Sequence, residues 1–156
     1  MKIEKINARL LAKLSHQAGQ SARKRSNYNF HKFSDSVQRF LNAIDPTSYI
    51  RPHCHDNPPN DETFIVLKGK GRLIIFQKEG EPDSIHELDP NEGSWGVHIP
   101  GGLYHTIVSL EKNFVFFEVK SGPYCPNSAK GFPSWAPEED DPRSSEYLYS
   151  LKSLTL

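Results

Sequence analysis

Four side chains in two short stretches have the types and spacing of a metal-ligand set. In RPHCHDNPPNDETFIVLKG, residues 51–69, His53 and His55 stand two apart and Glu62 opens an apolar run. Side chains alternate faces along a strand, so His53 and His55 point one way and Cys54 the other. Two imidazoles so placed can chelate one ion. Glu62 begins the next strand after the loop DNPPND, where a hairpin partner brings its carboxylate beside the imidazoles. In IPGGLYH, residues 99–105, Pro100 and Gly102 form a tight turn that delivers His105 from a further strand. Three imidazoles and one carboxylate suit a single divalent transition ion: Fe, Mn, Ni, Co or Zn. A six-coordinate ion keeps two positions for water, oxygen or a bidentate substrate. A four-coordinate zinc is closed by the same residues.

Other groups could complete such a site. By the same alternation Arg51 and Tyr49 point inward with the histidines, and Arg51 can clamp a carboxylate or phosphate. Glu118 interrupts the apolar strand FVFFEVK and needs a partner there. It can support a ligand histidine, act as general base, or form a strand-end salt bridge. Lys120 shares its face and can hold an anionic group. His98 is a further polar candidate before Pro100, or an exposed edge residue. Glu118 and Arg51 are thus the candidate catalytic residues, and Arg51, Lys120 and His98 the candidate substrate-binding ones. His16, His31 and His86 have no partner spacing. Gly69 and Gly71 read as a hairpin turn, not a phosphate loop.

These groups need elements to hold them. Apolar residues at Ile3, Ile6, Leu10, Leu11 and Leu14 predict a helix over 3–19. Val37, Phe40, Leu41 and Ile44 predict a second short helix from Asp35 to Ile44, ended by Asp45-Pro46. Then the pattern changes. SYIRPH, TFIVLKG, GRLIIFQ, SIHEL, SWGVHI, HTIVSL and NFVFFEVK read as strands between Gly-, Pro- and Asn-rich turns. No intervening segment is long enough for a crossover helix, so the expectation is an antiparallel sandwich or barrel. Residues 1–45 form a helical segment packing on that barrel, 46–122 the barrel, and 123–156 a loop-rich tail anchored by Tyr124, Phe132 and Trp135. The stretch RKRSNYNFH, residues 23–31, either pairs with a sheet edge, covers the mouth with substrate contacts, or does both.

The chain of 156 residues is the size of one domain. Its 19 basic and 19 acidic residues balance to a formal net charge of +0, which argues against a nucleic-acid or anionic-membrane partner. No apolar run has the length of a membrane span, and the N-terminus has no signal-peptide pattern. Cys54 and Cys125 make no disulfide framework, which fits a reducing, cytoplasmic setting.

The pattern His-x-His, Glu62, then Gly69, with Pro-x-Gly-x-x-His at 100–105, resembles the two cupin motifs in the right order. The segments RKRSNYNFH, QRFLNAI, YIRPHCH, ETFIVLKG, HIPGGLYHT and FFEVKSGPY are together similar to the WbuC-type cupin metalloproteins. The resemblance implies a mainly β fold, a small jelly-roll barrel preceded by two short N-terminal helices. It implies a metal in the barrel mouth held by His53, His55, Glu62 and His105, and a homodimer. It also implies a small-molecule ligand connected with surface polysaccharide. Three functions stay open: a metalloenzyme (isomerase, epimerase, lyase or oxygenase) on a small polar substrate, a non-catalytic module that captures a carbohydrate or acid, and a structural metal that staples the barrel.

Overall fold

The computed structural model describes residues 3–56, 58–126 and 130–155. Two antiparallel sheets form the jelly-roll barrel that the motifs imply. The strands are β1 (Arg25–Asn29), β2 (Val37–Ile44), β3 (Glu62–Lys68), β4 (Gly71–Phe76), β5 (Pro82–Leu88), β6 (Gly96–Ile99), β7 (Tyr104–Ser109) and β8 (Phe114–Ser121). The larger sheet has the order β1-β2-β8-β3-β6 and the smaller β5-β4-β7. Between them lies the main core, with Phe64, Val66, Phe114 and Phe116 from one sheet facing Leu73, Ile75 and Ile107 from the other.

Each sheet has a helix on its outer face. Helix α1 (Ala8–Gln20) starts where the Asn7 side chain accepts the Leu10 backbone N–H. Its buried Leu11, Leu14 and Ala18 pack on Leu41, Ala43 and Val115 of the larger sheet. Helix α2 (Ser144–Ser153) sets Leu148 and Leu151 against Ile74, Phe76 and Val108 of the smaller one. No helix among the described residues is long and apolar enough to cross a membrane.

The second N-terminal helix is corrected: residues 37–44 are β2, paired on both sides, with β1 and with β8. This strand is apolar on both faces. Leu41 and Ala43 meet α1, while Gln38, Phe40, Asn42 and Ile44 face the barrel interior. A two-faced strand places apolar residues at steps that also fit a helix, and sheet pairing decides between them. Residues 25–44 therefore extend the larger sheet instead of forming a helical segment outside the barrel. The tail also departs from a pure loop, since α2 closes it. Its residues 127–129 lie outside the described residues. Gly69 to Gly71 is not a hairpin turn, because β3 and β4 belong to different sheets. Gly69, at φ 76, lets the chain cross from one to the other.

Candidate metal centre

His53, His55, Glu62 and His105 each offer a ligand atom, and these atoms all lie within 4.8 Å of one another. All four residues are buried, with relative exposures of 3–6 %. Both sheets supply them. Glu62 opens β3, His105 is the second residue of β7, and His53 pairs with His105 through reciprocal backbone hydrogen bonds of 3.0 and 2.8 Å. His55 is held by its carbonyl, which accepts the N–H groups of Asn60 and Gly102 at 3.1 and 2.9 Å. Asn60 thus folds back onto His55 just ahead of Glu62. Glu62 comes from the opposite sheet, not from a hairpin partner of the histidine segment.

The orientation of the rings fits a cation. His53 Nδ1 lies 3.0 Å from the Arg51 carbonyl and His105 Nδ1 lies 2.9 Å from the Leu103 carbonyl. A carbonyl only accepts, so both Nδ1 atoms carry the hydrogen and both Nε2 atoms turn a lone pair inward. Backbone carbonyls hold metal-ligating histidines in the same way. His105 Nε2 then meets Glu62 Oε2 at 3.2 Å, and His55 Nε2 meets Glu62 Oε1 at 3.0 Å. A lone pair against a carboxylate oxygen needs a positive ion between them. Burial holds the His53 imidazole well below its usual range, which disfavours a proton there and leaves a metal ion as the fitting occupant. The residues therefore suit one divalent transition ion.

Behind the quartet runs a chain of polar contacts on the inner face of the larger sheet. Lys120 Nζ donates to Glu62 Oε1 at 2.7 Å and pairs with Glu118 Oε1 at 2.9 Å. Asn42 Nδ2 donates to Glu118 Oε2 at 2.7 Å, and Asn27 Nδ2 donates to Asn42 Oδ1. The sheet register sets these neighbours: Lys120 lies opposite Glu62, and Asn42 opposite Asn27. Burial, then the nearby Glu62 charge, pushes the Glu118 carboxyl up to about 7. Burial would also raise Glu62, but the close His105 and His55 imidazoles and the Lys120 ammonium hold it well below the usual carboxylate range. The two carboxylates raise Lys120 against its burial. Glu62, Lys120, Glu118, Asn42 and Asn27, with His53 and His105, border one cavity of about 450 Å³, lined also by Phe40, Phe64, Phe116 and Phe132.

Glu118 and Lys120 thus stand where the strand alternation puts them. Arg51 and His98 do not join the cavity. The Arg51 guanidinium donates to the Pro133 carbonyl at 2.9 Å, pairs with Glu138 at 3.6 Å and sits over the Phe132 ring. It ties the tail to the barrel. Tyr49 also turns outward, its hydroxyl donating to the Pro137 carbonyl at 2.9 Å. The segment before His53 is not a ladder strand, so strict alternation does not carry through Pro52. His98 pairs with Thr63 on the sheet face opposite Glu62, and 59 % of its side chain is exposed. Asn42 and Gln38 line the cavity but were not among the expected site residues, while Asn27 and Asn29 line it from the 23–31 segment, for which substrate contacts were one of the readings. A period of two read along residues 38–44 would have pointed to the first two.

Comparison with known proteins agrees with this geometry. Among solved structures, the capsular polysaccharide assembling protein CapF from Staphylococcus aureus superposes with a TM-score of 0.58 at 26% identity, over 72% of this chain and 30% of that one. Conserved protein SPY1581 of unknown function from Streptococcus pyogenes gives 0.53 at 14%, over 80% of this chain and 93% of that one. Oxalate decarboxylase from Bacillus subtilis gives 0.51 at 19%, over 69% of this chain and 27% of that one. The last two speak to the fold alone; the likeness to CapF supports the cupin superfamily. A segment of 85 residues is 33% identical to chloroplastic zeaxanthin epoxidase from Oryza sativa subsp. japonica, covering 54% of this chain and 11% of that protein. This chain therefore spans only a minor part of CapF and of the epoxidase. Residues 6–88, more than half of the chain and including His53, His55 and Glu62, match the family model described as Domain of unknown function (DUF6016). The protein belongs to the DUF6016 family and has a cupin-type barrel.

Proposed function

We propose that this protein is a metal-dependent cupin enzyme acting on a small, polar, sugar-derived substrate in surface-polysaccharide metabolism. The observation that carries the reading is the quartet itself, four buried ligand residues of which His53, Glu62 and His105 border a cavity of about 450 Å³. That volume accepts a ligand of monosaccharide size. The similarity to a capsular polysaccharide assembling protein supports the substrate class.

Within this reading His53, His55, Glu62 and His105 hold the ion, which supplies Lewis acidity toward a substrate oxygen. Glu118 supplies the proton chemistry. Its carboxyl, pushed up to about 7, exchanges a proton near neutral pH, where a general acid–base group is most effective. Lys120 bridges Glu118 and Glu62, fixing the direction in which each carboxylate presents its remaining lone pairs. The reaction class this favours is proton abstraction beside a carbonyl or hydroxyl carbon, as in isomerisation or epimerisation.

The test is deuterium exchange. The protein loaded separately with Fe, Mn, Ni or Zn is incubated in D2O with free hexoses and nucleotide-activated sugars, and carbon-bound hydrogen is followed by NMR. Exchange or isomer formation is expected with at least one metal. Glu118→Gln should slow it by roughly a hundredfold or more with metal content retained. No exchange by any loaded form would contradict the enzymatic reading. Saturable binding without exchange would point instead to a capture module.

A further inference from the structure

We propose that the inner face of β1 and β2 is a polyol-binding subsite, which recognises the hydroxyl groups of a neutral sugar ring through Asn27, Asn29, His31, Gln38 and Asn42. This inference rests on the sugar-derived substrate proposed above and names the residues that read it. All five residues line the cavity that His53, Glu62 and His105 border, four of them on β1 and β2, which extend the larger sheet beyond β8, and His31 just after β1.

The polar groups of this face are pre-oriented. Glu118 Oε2 accepts from Asn42 Nδ2, so Asn42 turns its Oδ1 toward Asn27, and Asn27 in turn gives its Nδ2. The carboxylate at one end thereby fixes both amides and leaves the Asn27 Oδ1 as an acceptor. Gln38 gives its Nε2 to the Ser121 carbonyl at 3.2 Å, which also leaves an amide oxygen. His31 adds a donor. Its Nδ1 lies 2.9 Å from the Arg39 backbone N–H, beyond the end of β1, where that amide has lost its strand partner. The Arg39 carbonyl at the same distance already accepts the Phe30 N–H at 2.9 Å. Nδ1 therefore accepts, and Nε2 carries the hydrogen. That Nε2 is buried and has no hydrogen-bond partner among the described residues. An unmet buried donor costs stability and calls for a ligand acceptor.

Hydroxyl groups both donate and accept, and the row offers amide and imidazole groups of both kinds. An anion site would instead show uncommitted cations. Here Lys120 is engaged by Glu62 and Glu118, and Arg23 and Arg25 are engaged by Glu139 at 2.9 and 2.5 Å; Lys130 is the remaining cation at the wall. Asn27 and Asn29 are exposed, so the row is reachable from solvent.

The experiment titrates the full chain, zinc-loaded and zinc-free, with methyl β-D-glucoside, N-acetyl-D-glucosamine, L-rhamnose or malonate. The side-chain amide signals of Asn27, Asn29, Gln38 and Asn42 are followed by NMR. At least one sugar should shift these signals saturably in both forms, malonate should not, and Asn29→Ala, at an exposed position, should raise the Kd at least about fivefold. The inference is overturned if none of the sugars shifts these signals, if malonate shifts them as a sugar should, if sugar binding requires zinc, or if Asn29→Ala leaves the Kd unchanged. The amide signals report on binding in the zinc-free protein, so a failure of this inference and a failure to turn over substrate are read separately.

Discussion

Lys120→Met removes the cation that two buried carboxylates share. Lys120 is 13 % exposed and contacts Glu62 at 2.7 Å and Glu118 at 2.9 Å. Methionine keeps much of the packing volume but leaves both oxygens facing a side chain that cannot donate. Breaking a buried pair costs about 3–5 kcal/mol, and the partial exposure argues for the lower end, about 3 kcal/mol, in the metal-free protein at pH 8. With a urea dependence of about 2 kcal/mol per molar, the unfolding midpoint should fall by roughly 1.5 M. The cost must depend on pH, because Glu118 titrates at about 7. At pH 5.5 Glu118 is mostly neutral and loses little with Lys120, so the destabilisation should drop to roughly half. The double variant Lys120→Met/Glu118→Gln should recover about 1 kcal/mol or more at pH 8, since it removes one of the orphaned charges. Urea titration by circular dichroism at both pH values measures all three. A loss below about 1 kcal/mol for Lys120→Met at pH 8, or a double variant no more stable than the single one, would refute the buried carboxylate–ammonium–carboxylate bridge.

Other perturbations test separate parts of the fold. In metal-free protein, His53 is depressed by burial and stays neutral when folded, so the unfolded chain binds more protons below about pH 6.5 and stability falls with pH. Glu118 works in the other direction: its raised folded value gives stability as pH falls from about 7 toward the unfolded value. The parent should therefore be nearly flat between pH 6.5 and 5.5, and Glu118→Gln should uncover a loss of about 1 kcal/mol in thermal or urea unfolding. A Cβ on Gly71 would lie 2.2 Å from the Phe114 ring, which is fully buried, so Gly71→Ala should cost about 1–3 kcal/mol by calorimetry. Leu14, 1 % exposed, anchors α1 on Leu41 and Val115, and Leu14→Ala should cost about 2–5 kcal/mol without changing metal content.

The barrel and the quartet were legible because their signals are local. Strands β3, β4, β7 and β8 each read as a short, largely apolar run bounded by turn residues, and His53, His55, Glu62 and His105 need only their local spacing and two loops to meet. The departures came where tertiary pairing decides. Residues 37–44 fit a helix by spacing, and become a strand because β1 and β8 satisfy both backbone edges. Arg51 and Tyr49 turn outward because Pro52 and the absence of a ladder break the alternation before His53. Helix α2 had Leu148 and Leu151 at a three-residue step, but a tail rich in Pro and acid masked it. The link from the β1 amides to Asn42 could not be seen until residues 37–44 were a strand, since only sheet pairing sets Asn42 opposite Asn27 and Phe40 on the same face as Gln38 and Asn42.

The central claim is that the quartet holds one transition ion. The direct measurement is metal content by inductively coupled plasma mass spectrometry, on the purified protein and on His55→Ala, each after incubation with Fe, Mn, Ni and Zn and removal of excess. About one equivalent in the parent, lost in the variant while the circular dichroism spectrum is kept, is the predicted result. A parent that retains no metal, or a variant that retains as much as the parent, would contradict the account.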